Sequence, residues 1–124
     1  MATAQDIMIK NILTLKESSS AKDAIKLILD KRISGVPIVS DDMTLVGIIT
    51  EKDLLQLAFY DTTEEVIIAD IMTRDVVTMD KDTNLLEISE FFLNNNYKRL
   101  PITSAKKLVG IISRKDVLKY ILNK

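Results

Sequence analysis

The chain has no cysteine and no histidine. Without cysteine there is no disulfide, no thiolate nucleophile and no thiolate metal ligand. That composition fits a reducing compartment, so a cytoplasmic location is expected. Without histidine there is no Ser-His-Asp catalysis and no imidazole ligand for a transition metal. The side chain that ordinarily shuttles protons near neutral pH is also missing. No uninterrupted apolar run approaches the roughly 18 residues that would span a bilayer, so no membrane association is expected. Met1 to Lys10 lacks the basic-then-apolar order of a secretory signal, and none is expected. An excess of charge of one sign is absent too. Lys and Arg total 17 against 18 Asp and Glu, for a net charge of −1. The basic residues are scattered, which predicts no nucleic-acid partner.

What is present is the composition of a globular domain, 47% apolar and 28% charged over 124 residues. Within it, one unit is written twice. Leu45-Val46-Gly47-Ile48-Ile49 recurs as Leu108-Val109-Gly110-Ile111-Ile112. Thr50-Glu51-Lys52-Asp53 is answered by Ser113-Arg114-Lys115-Asp116, and Val36-Pro37-Ile38-Val39 by Leu100-Pro101-Ile102-Thr103. Asp6-Ile7-Met8 is answered by Asp70-Ile71-Met72-Thr73, and Ile12-Leu13-Thr14 by Val76-Val77-Thr78. The offset is 64 residues up to the prolines and 63 beyond them, so one residue is lost between the paired strands of the second copy. A copy of about 60 residues would bury only roughly 60% of its unfolded surface, so each is marginal alone and two copies sharing a core are expected.

Each copy reads as strand, helix, strand, strand, helix. In the first, Asn11 to Leu15 is the opening strand, and Ser20 with Asp23 is a capping pair before the stripe Ala24, Ile25, Leu27, Ile28 and Leu29. Gly35 and Pro37 end that helix and open an extended segment, Val36 to Val39. Asp41-Asp42 is a turn, Leu45 to Ile49 reads as a strand covered on both faces, and Thr50 caps a helix running to about Phe59. In the second copy Val76 to Met79 is the first strand. Thr83 or Asn84 caps a helix bearing Leu85, Ile88, Phe91, Phe92 and Leu93. Pro101 opens a strand, Ser104-Ala105-Lys106 turns, Leu108 to Ile112 returns, and Arg114 to Leu122 closes as a helix. Tyr60 to Ala69 links the copies, and its Val66-Ile67-Ile68 predicts that it packs down. The expected boundaries are 1–60 for the first repeat, 61–69 for the linker and 70–124 for the second.

The chemistry concentrates just past the doubled pentapeptide. A helix start carries unsatisfied N–H groups and partial positive charge, which favour an anion. At Ser113 and Arg114 a hydroxyl and a guanidinium can both donate to phosphate oxygens. One turn on, Asp116 can accept from two vicinal hydroxyls such as a ribose offers. The extended backbone at Leu100-Pro101 can read an adenine edge. The plainer reading of Ser-x-x-Asp is a capping box that stabilises its helix by about 0.5–2 kcal/mol; both readings stay open. The copies differ where phosphate would sit. The second offers Lys98, Arg99 and Arg114, whereas the first offers Ser34-Gly35 and the acid Glu51. These cations could equally be solvated surface charges.

The Asp-Ile-Met-Thr at Asp70 to Thr73, the two apolar-Pro-apolar strands, and the two Gly-Ile-Ile-[Thr or Ser]-x-x-Asp segments at Gly47 to Asp53 and Gly110 to Asp116 together resemble a tandem pair of cystathionine-β-synthase (CBS) domains. The likeness runs from about Asp6 to about Leu122. It implies an α/β (α+β) fold of two βαββα repeats packed with pseudo-two-fold symmetry into one Bateman-type module, with two clefts that in many members hold AMP, ADP, ATP, S-adenosylmethionine or relatives. It implies a regulatory sensor with no required cofactor, a homodimer formed through the helices, and an unidentified regulated protein that receives the signal. The main cleft implied is that of Asp116, Ser113, Arg114, Arg99, Lys98, Leu100 and Ile111, completed by Thr14, Ser19 and Ala24. The weaker is that of Asp53, Thr50, Val36 and Ile48, completed by Thr78 and Thr83, where Ile88 is bulkier than the family's usual small residue. The competing reading is a structural module that dimerises or recruits a partner without a small molecule. An enzyme is not expected, since the spacings show no paired-carboxylate or lysine constellation.

Overall fold

The computed structural model describes residues 1–124. In chain order the elements are α1 (Ala4–Ile7), α2 (Ala21–Lys31), β1 (Gly35–Val39), β2 (Leu45–Thr50), α3 (Glu51–Leu55) with a 3₁₀ turn Gln56–Phe59 behind it, a second 3₁₀ turn Ile68–Asp70, β3 (Met79–Asp80), α4 (Leu85–Asn94), β4 (Arg99–Ser104), β5 (Lys107–Ser113) and α5 (Arg114–Asn123). They form two compact units whose membership is not sequential. A central unit holds Leu13–Val76, and a terminal unit joins Met1–Ile12 to Val77–Lys124. No helix is long and apolar enough to cross a membrane.

In the central unit the hairpin β1–β2 is antiparallel, and α2 packs Ala21, Ala24 and Ile28 into a core with Val36, Ile38, Ile49, Leu54, Leu57, Val66, Ile68, Ile71 and Met72. The Ser20 hydroxyl accepts from the Asp23 N–H and starts α2 as expected. The helix stops earlier than Gly35 suggested, because Arg32 turns left-handed at φ 54° and its N–H bonds back to the Ile28 carbonyl. The opening strand expected over Asn11 to Leu15 shrinks to one parallel bridge, Leu15 to Ile38. Asn11 to Thr14 make no bridge, and the boundary between the two units falls among them, after Ile12. β2 alternates half-buried and buried positions from Val46 on and is not covered on both faces. The expected closing helix reaches Phe59 only by tightening from α3 into a 3₁₀ turn. The linker does pack down, with Val66 and Ile68 buried.

The terminal unit repeats the plan around β3–β4–β5, with β3 parallel to β4 and β4 antiparallel to β5. Ala4, Ile7, Ile88, Phe92, Leu100, Ile102, Ile112 and Val117 form its core, so the single shared core expected from the repeat is instead two clusters, one in each unit. Asn84, not Thr83, caps α4, accepting from the Glu87 N–H. β4 begins at Arg99, ahead of Pro101, and its turn to β5 uses Ala105 and Lys106 at positive φ. The residue missing from the second copy falls in this turn. Val39 pairs with Leu45 across five intervening residues, and Thr103 with Leu108 across four.

The doubled pentapeptide has a geometric reason. Both hairpins bulge at the same place: Ile38 faces Gly47 while Val39 faces Leu45, and Ile102 faces Gly110 while Thr103 faces Leu108. Val46 and Val109 are therefore the extra residues. Next in line, each glycine lies under a methionine from a lead-in segment. A Cβ on Gly47 would stand 2.7 Å from the Thr73 carbonyl oxygen, and one on Gly110 would stand 2.5 Å from Met8 Cγ. Met72-Thr73 is laid against β2 by reciprocal bonds, Ile48 N–H to the Thr73 carbonyl (2.8 Å) and Thr73 N–H to the Ile48 carbonyl (2.9 Å). Met8-Ile9 is laid against β5 by the matching pair between Ile9 and Ile111, at 2.8 and 3.0 Å. This also explains the prolines. Pro37 pairs with Ile48 and Pro101 with Ile111, whose own N–H and C=O groups point away to the lead-in segments, so no cross-strand donor is needed from proline.

The lead-in segments are exchanged. The residues that precede each copy in sequence pack in the unit built on the other copy's hairpin. The correspondence extends bond by bond. Ala4 N–H to the Thr83 carbonyl matches Ile68 N–H to the Ser19 carbonyl, Gln5 to Lys81 matches Ala69 to Glu17, and Leu85 to Ala2 matches Ala21 to Val66.

Candidate functional site

Each unit presents one helix start at the end of its hairpin. At α5 the Ser113 side chain accepts from the Asp116 N–H (3.3 Å), while the Asp116 carboxylate accepts from the Ser113 N–H (2.8 Å) and from the Ser113 hydroxyl (2.9 Å). Both of those donors bond to Oδ2, so Oδ1 of Asp116 is left open. At α3 the same box forms. Asp53 N–H donates to the Thr50 hydroxyl (3.2 Å), and Asp53 Oδ2 accepts from the Thr50 N–H and hydroxyl, both at 2.9 Å. Here a further donor arrives from the lead-in segment: the Thr73 hydroxyl lies 3.0 Å from Asp53 Oδ1 and 3.2 Å from Oδ2. The Asp53 carboxylate is thus satisfied within its own unit, and that of Asp116 is half available. The two helix starts also differ in backbone. The Glu51 N–H is taken by the Ser34 carbonyl at 3.1 Å, whereas the Arg114 N–H makes no such bond.

The capping reading of Ser113 and Asp116 is therefore correct for the structure as it stands. A carboxylate that caps through one oxygen still has the other to offer. Thr73 is the contributor that motif reading missed. It lies 20 residues from Asp53, and its only signal was its place after Met72 in the repeated lead-in.

The three cations are placed differently from one another. Arg114 turns its Nη2 back to the Phe92 carbonyl (3.2 Å) and the Asn95 carbonyl (3.0 Å), closing the C-terminal end of α4. Lys98 is exposed on the segment between α4 and β4, and Arg99 is exposed at the first residue of β4. Leu100 is fully buried, and Ile111 is half-buried with its backbone held by Ile9. All of these belong to the terminal unit with Asp116. Thr14, Ser19 and Ala24 belong to the central unit. Thr14 precedes the Leu15 bridge, Ser19 accepts from the Lys16 N–H, and Ala24 is buried in the core. Val36 and Ile48 accompany Asp53 and Thr50 in the central unit, Val36 fully buried and Ile48 bonded to Thr73. Thr78 and Thr83 lie in the terminal unit on either side of β3, Thr78 exposed and Thr83 half-buried. Ile88, which occupies in α4 the station of Ala24 in α2, is fully buried. No group of three or more acidic, Cys or His side chains could hold a metal ion.

A family model described as CBS domain matches residues 4–60 and again 68–123. An uncharacterized protein of Methanocaldococcus jannaschii is 35% identical over 117 residues, covering 94% of this chain, and the chain spans 42% of that relative's length. Among solved structures, CBSX2 in complex with AMP superposes with a TM-score of 0.87 at 32% identity, over 99% of this chain and 98% of the other; CBSX2 is a protein of Arabidopsis thaliana. The CBS domain pair of a protein designated MJ0100, in complex with 5′-methylthioadenosine and S-adenosyl-L-methionine, superposes with a TM-score of 0.79 at 26% identity, over 99% and 98% of the two chains.

Proposed function

The chain belongs to the CBS-domain family, and from that premise we propose that it is a regulatory binding module for an adenosine compound, with AMP, ADP or ATP foremost and S-adenosylmethionine next. The observation that carries this reading is its likeness, across nearly its whole length, to a protein crystallised with AMP. The open Oδ1 of Asp116 supports the same reading from the chemistry: it is an acceptor for a ribose diol at the start of a ten-residue helix. Ser113 and the free N–H groups of the first turn donate to phosphate, and Arg99, the cross-strand partner of Ser113, adds positive charge together with its neighbour Lys98. Arg114 reaches a phosphate by leaving the α4 carbonyls, which would report occupancy to the end of that helix. Binding regulates only if the ligand prefers one arrangement of the protein over another. The signal then passes to a partner protein.

Calorimetric titration with AMP, ATP and S-adenosylmethionine tests this. One of them binds, and Asp116→Ala weakens it by about tenfold or more, the loss of one charge-assisted hydrogen bond. If none binds, or if Asp116→Ala binds as tightly as the parent, the reading fails. In a thermal melt, ligand at about 100 times its Kd adds about 2.7 kcal/mol.

One observation favours a second reading, assembly without a small molecule. Leu55, Phe59, Leu118 and Leu122 stand 71%, 93%, 62% and 82% exposed on the closing helices and the 3₁₀ turn. Such side chains suit a homodimer through those helices or a recruited partner. Light scattering on the ligand-free protein tests it: a monomer over the micromolar range removes the homodimer.

A further inference from the structure

Position 9 and position 73 are one station of the repeat, filled by two different side chains. In both units the residue after the lead-in methionine makes the same two backbone bonds to the hairpin. Thr73 bonds with Ile48 at 2.8 and 2.9 Å, and Ile9 bonds with Ile111 at 2.8 and 3.0 Å. Thr73 lies against the capping-box aspartate of its unit, Asp53, and Ile9 holds the matching register position in the unit whose capping-box aspartate is Asp116. In the central unit that side chain carries a hydroxyl, which is spent on Asp53 at 3.0 Å to Oδ1 and 3.2 Å to Oδ2. In the terminal unit it is a hydrocarbon. Asp116 receives only the Ser113 N–H and hydroxyl, both on Oδ2.

A vicinal diol needs two free acceptor directions on a carboxylate, and a hydroxyl already bonded there must first be displaced. We propose that Ile9 is a specificity-determining residue: by offering no donor it keeps Asp116 free to read the 2′- and 3′-hydroxyls of a ribose, while Thr73 fills that role for Asp53 internally. The chain therefore takes one ribonucleoside ligand, at Asp116. This rests on the ribose-reading role given to Asp116 above and adds what decides which aspartate plays it. Ile9 itself is half exposed, so exchanging it costs little packing.

Threonine and valine have nearly the same shape and differ in one hydroxyl, which makes them a clean pair at this position. The probes are adenosine and 2′-deoxyadenosine, whose lack of phosphate removes the influence of Glu51, Lys98 and Arg99. Titration of the wild-type chain is expected to give one adenosine per chain and a preference over 2′-deoxyadenosine of about tenfold, the ratio set by one hydrogen bond to a charged group. Ile9→Val is expected to keep both the affinity and the preference. Ile9→Thr is expected to lower adenosine affinity by about tenfold and to erase the preference for the ribose form. Equal behaviour of Ile9→Thr and Ile9→Val, whether both bind or both fail, overturns the proposal while leaving the ribose-reading role of Asp116 intact. Two equivalent adenosines per wild-type chain would overturn it as well. No binding of adenosine, AMP or ATP by the wild type sinks the proposed function itself, and this inference with it.

Discussion

Asp53 and Asp116 occupy one station in two units whose hairpins and lead-in segments are bonded alike, yet their carboxylates end in different states. The central one is closed by Thr73, and the terminal one is open on Oδ1. The bulged hairpin, the glycine under the methionine and the capping box are common to both, so these are scaffold. The differences sit at matched positions of that scaffold: Thr73 against Ile9, Glu51 against Arg114, and Ala24 against Ile88. Duplication fixes a shape twice and leaves the chemistry at each copy free to diverge, because one hydroxyl or one charge can change without disturbing the backbone ladder.

If the units are matched scaffolds, equivalent core truncations should cost equally. Ile38→Ala and Ile102→Ala each empty a fully buried position facing a glycine. Each is expected to lower stability by about 2–5 kcal/mol in urea unfolding; a cost below about 1 kcal/mol for either would falsify the equivalence. The glycines should separate the units next. Gly47→Ala drives a Cβ against the Thr73 backbone carbonyl, while Gly110→Ala meets the side chain of Met8. Both are expected to cost about 1–3 kcal/mol, with Gly47→Ala the worse because a carbonyl cannot swing aside. Met8→Ala should recover part of the Gly110→Ala loss, and Met72→Ala little of the Gly47→Ala loss.

The caps should differ more finely. Ser113→Ala is expected to cost about 1 kcal/mol and Thr50→Ala somewhat less, since Asp53 keeps the Thr73 hydroxyl after Thr50 loses its own. Equal melting shifts would mean that the Thr73 bond does not hold in solution. The smallest effect belongs to Thr73→Val, expected below about 1 kcal/mol, because the released carboxylate turns to water. A cost well above that would make Thr73 a structural residue first.

Much of this plan was legible in the residues. The repeat, the one-residue deletion in the second turn, the Ser20 cap and the two capping boxes are local in sequence and came out where periodicity and turn chemistry placed them. Local signals failed where a neighbour from afar decided. Asn11 to Leu15 has the composition of a strand and lacks one, since only Leu15 meets an edge. The helix α2 ends by a left-handed arginine and not at the first glycine, because the Arg32 N–H can return to Ile28. Arg114 looked like a phosphate ligand and holds α4 carbonyls in this structure, a partnership across 19 and 22 residues that no motif records.

The sequence by itself determined that there are two copies, which elements each contains, and that their helix starts carry unlike charge. Only the tertiary structure decided that the lead-in segments change places, so that Met72-Thr73 completes the hairpin of the first copy and Met8-Ile9 that of the second. The physical reason is that a hairpin edge left unpaired by its own copy, with a glycine bare of side chain, accepts whichever extended segment the chain can bring to it. Backbone hydrogen bonds do not read sequence, so the partner is chosen by chain path and packing. That choice set a hydroxyl against Asp53 and put a hydrocarbon at the matching register position of the other unit.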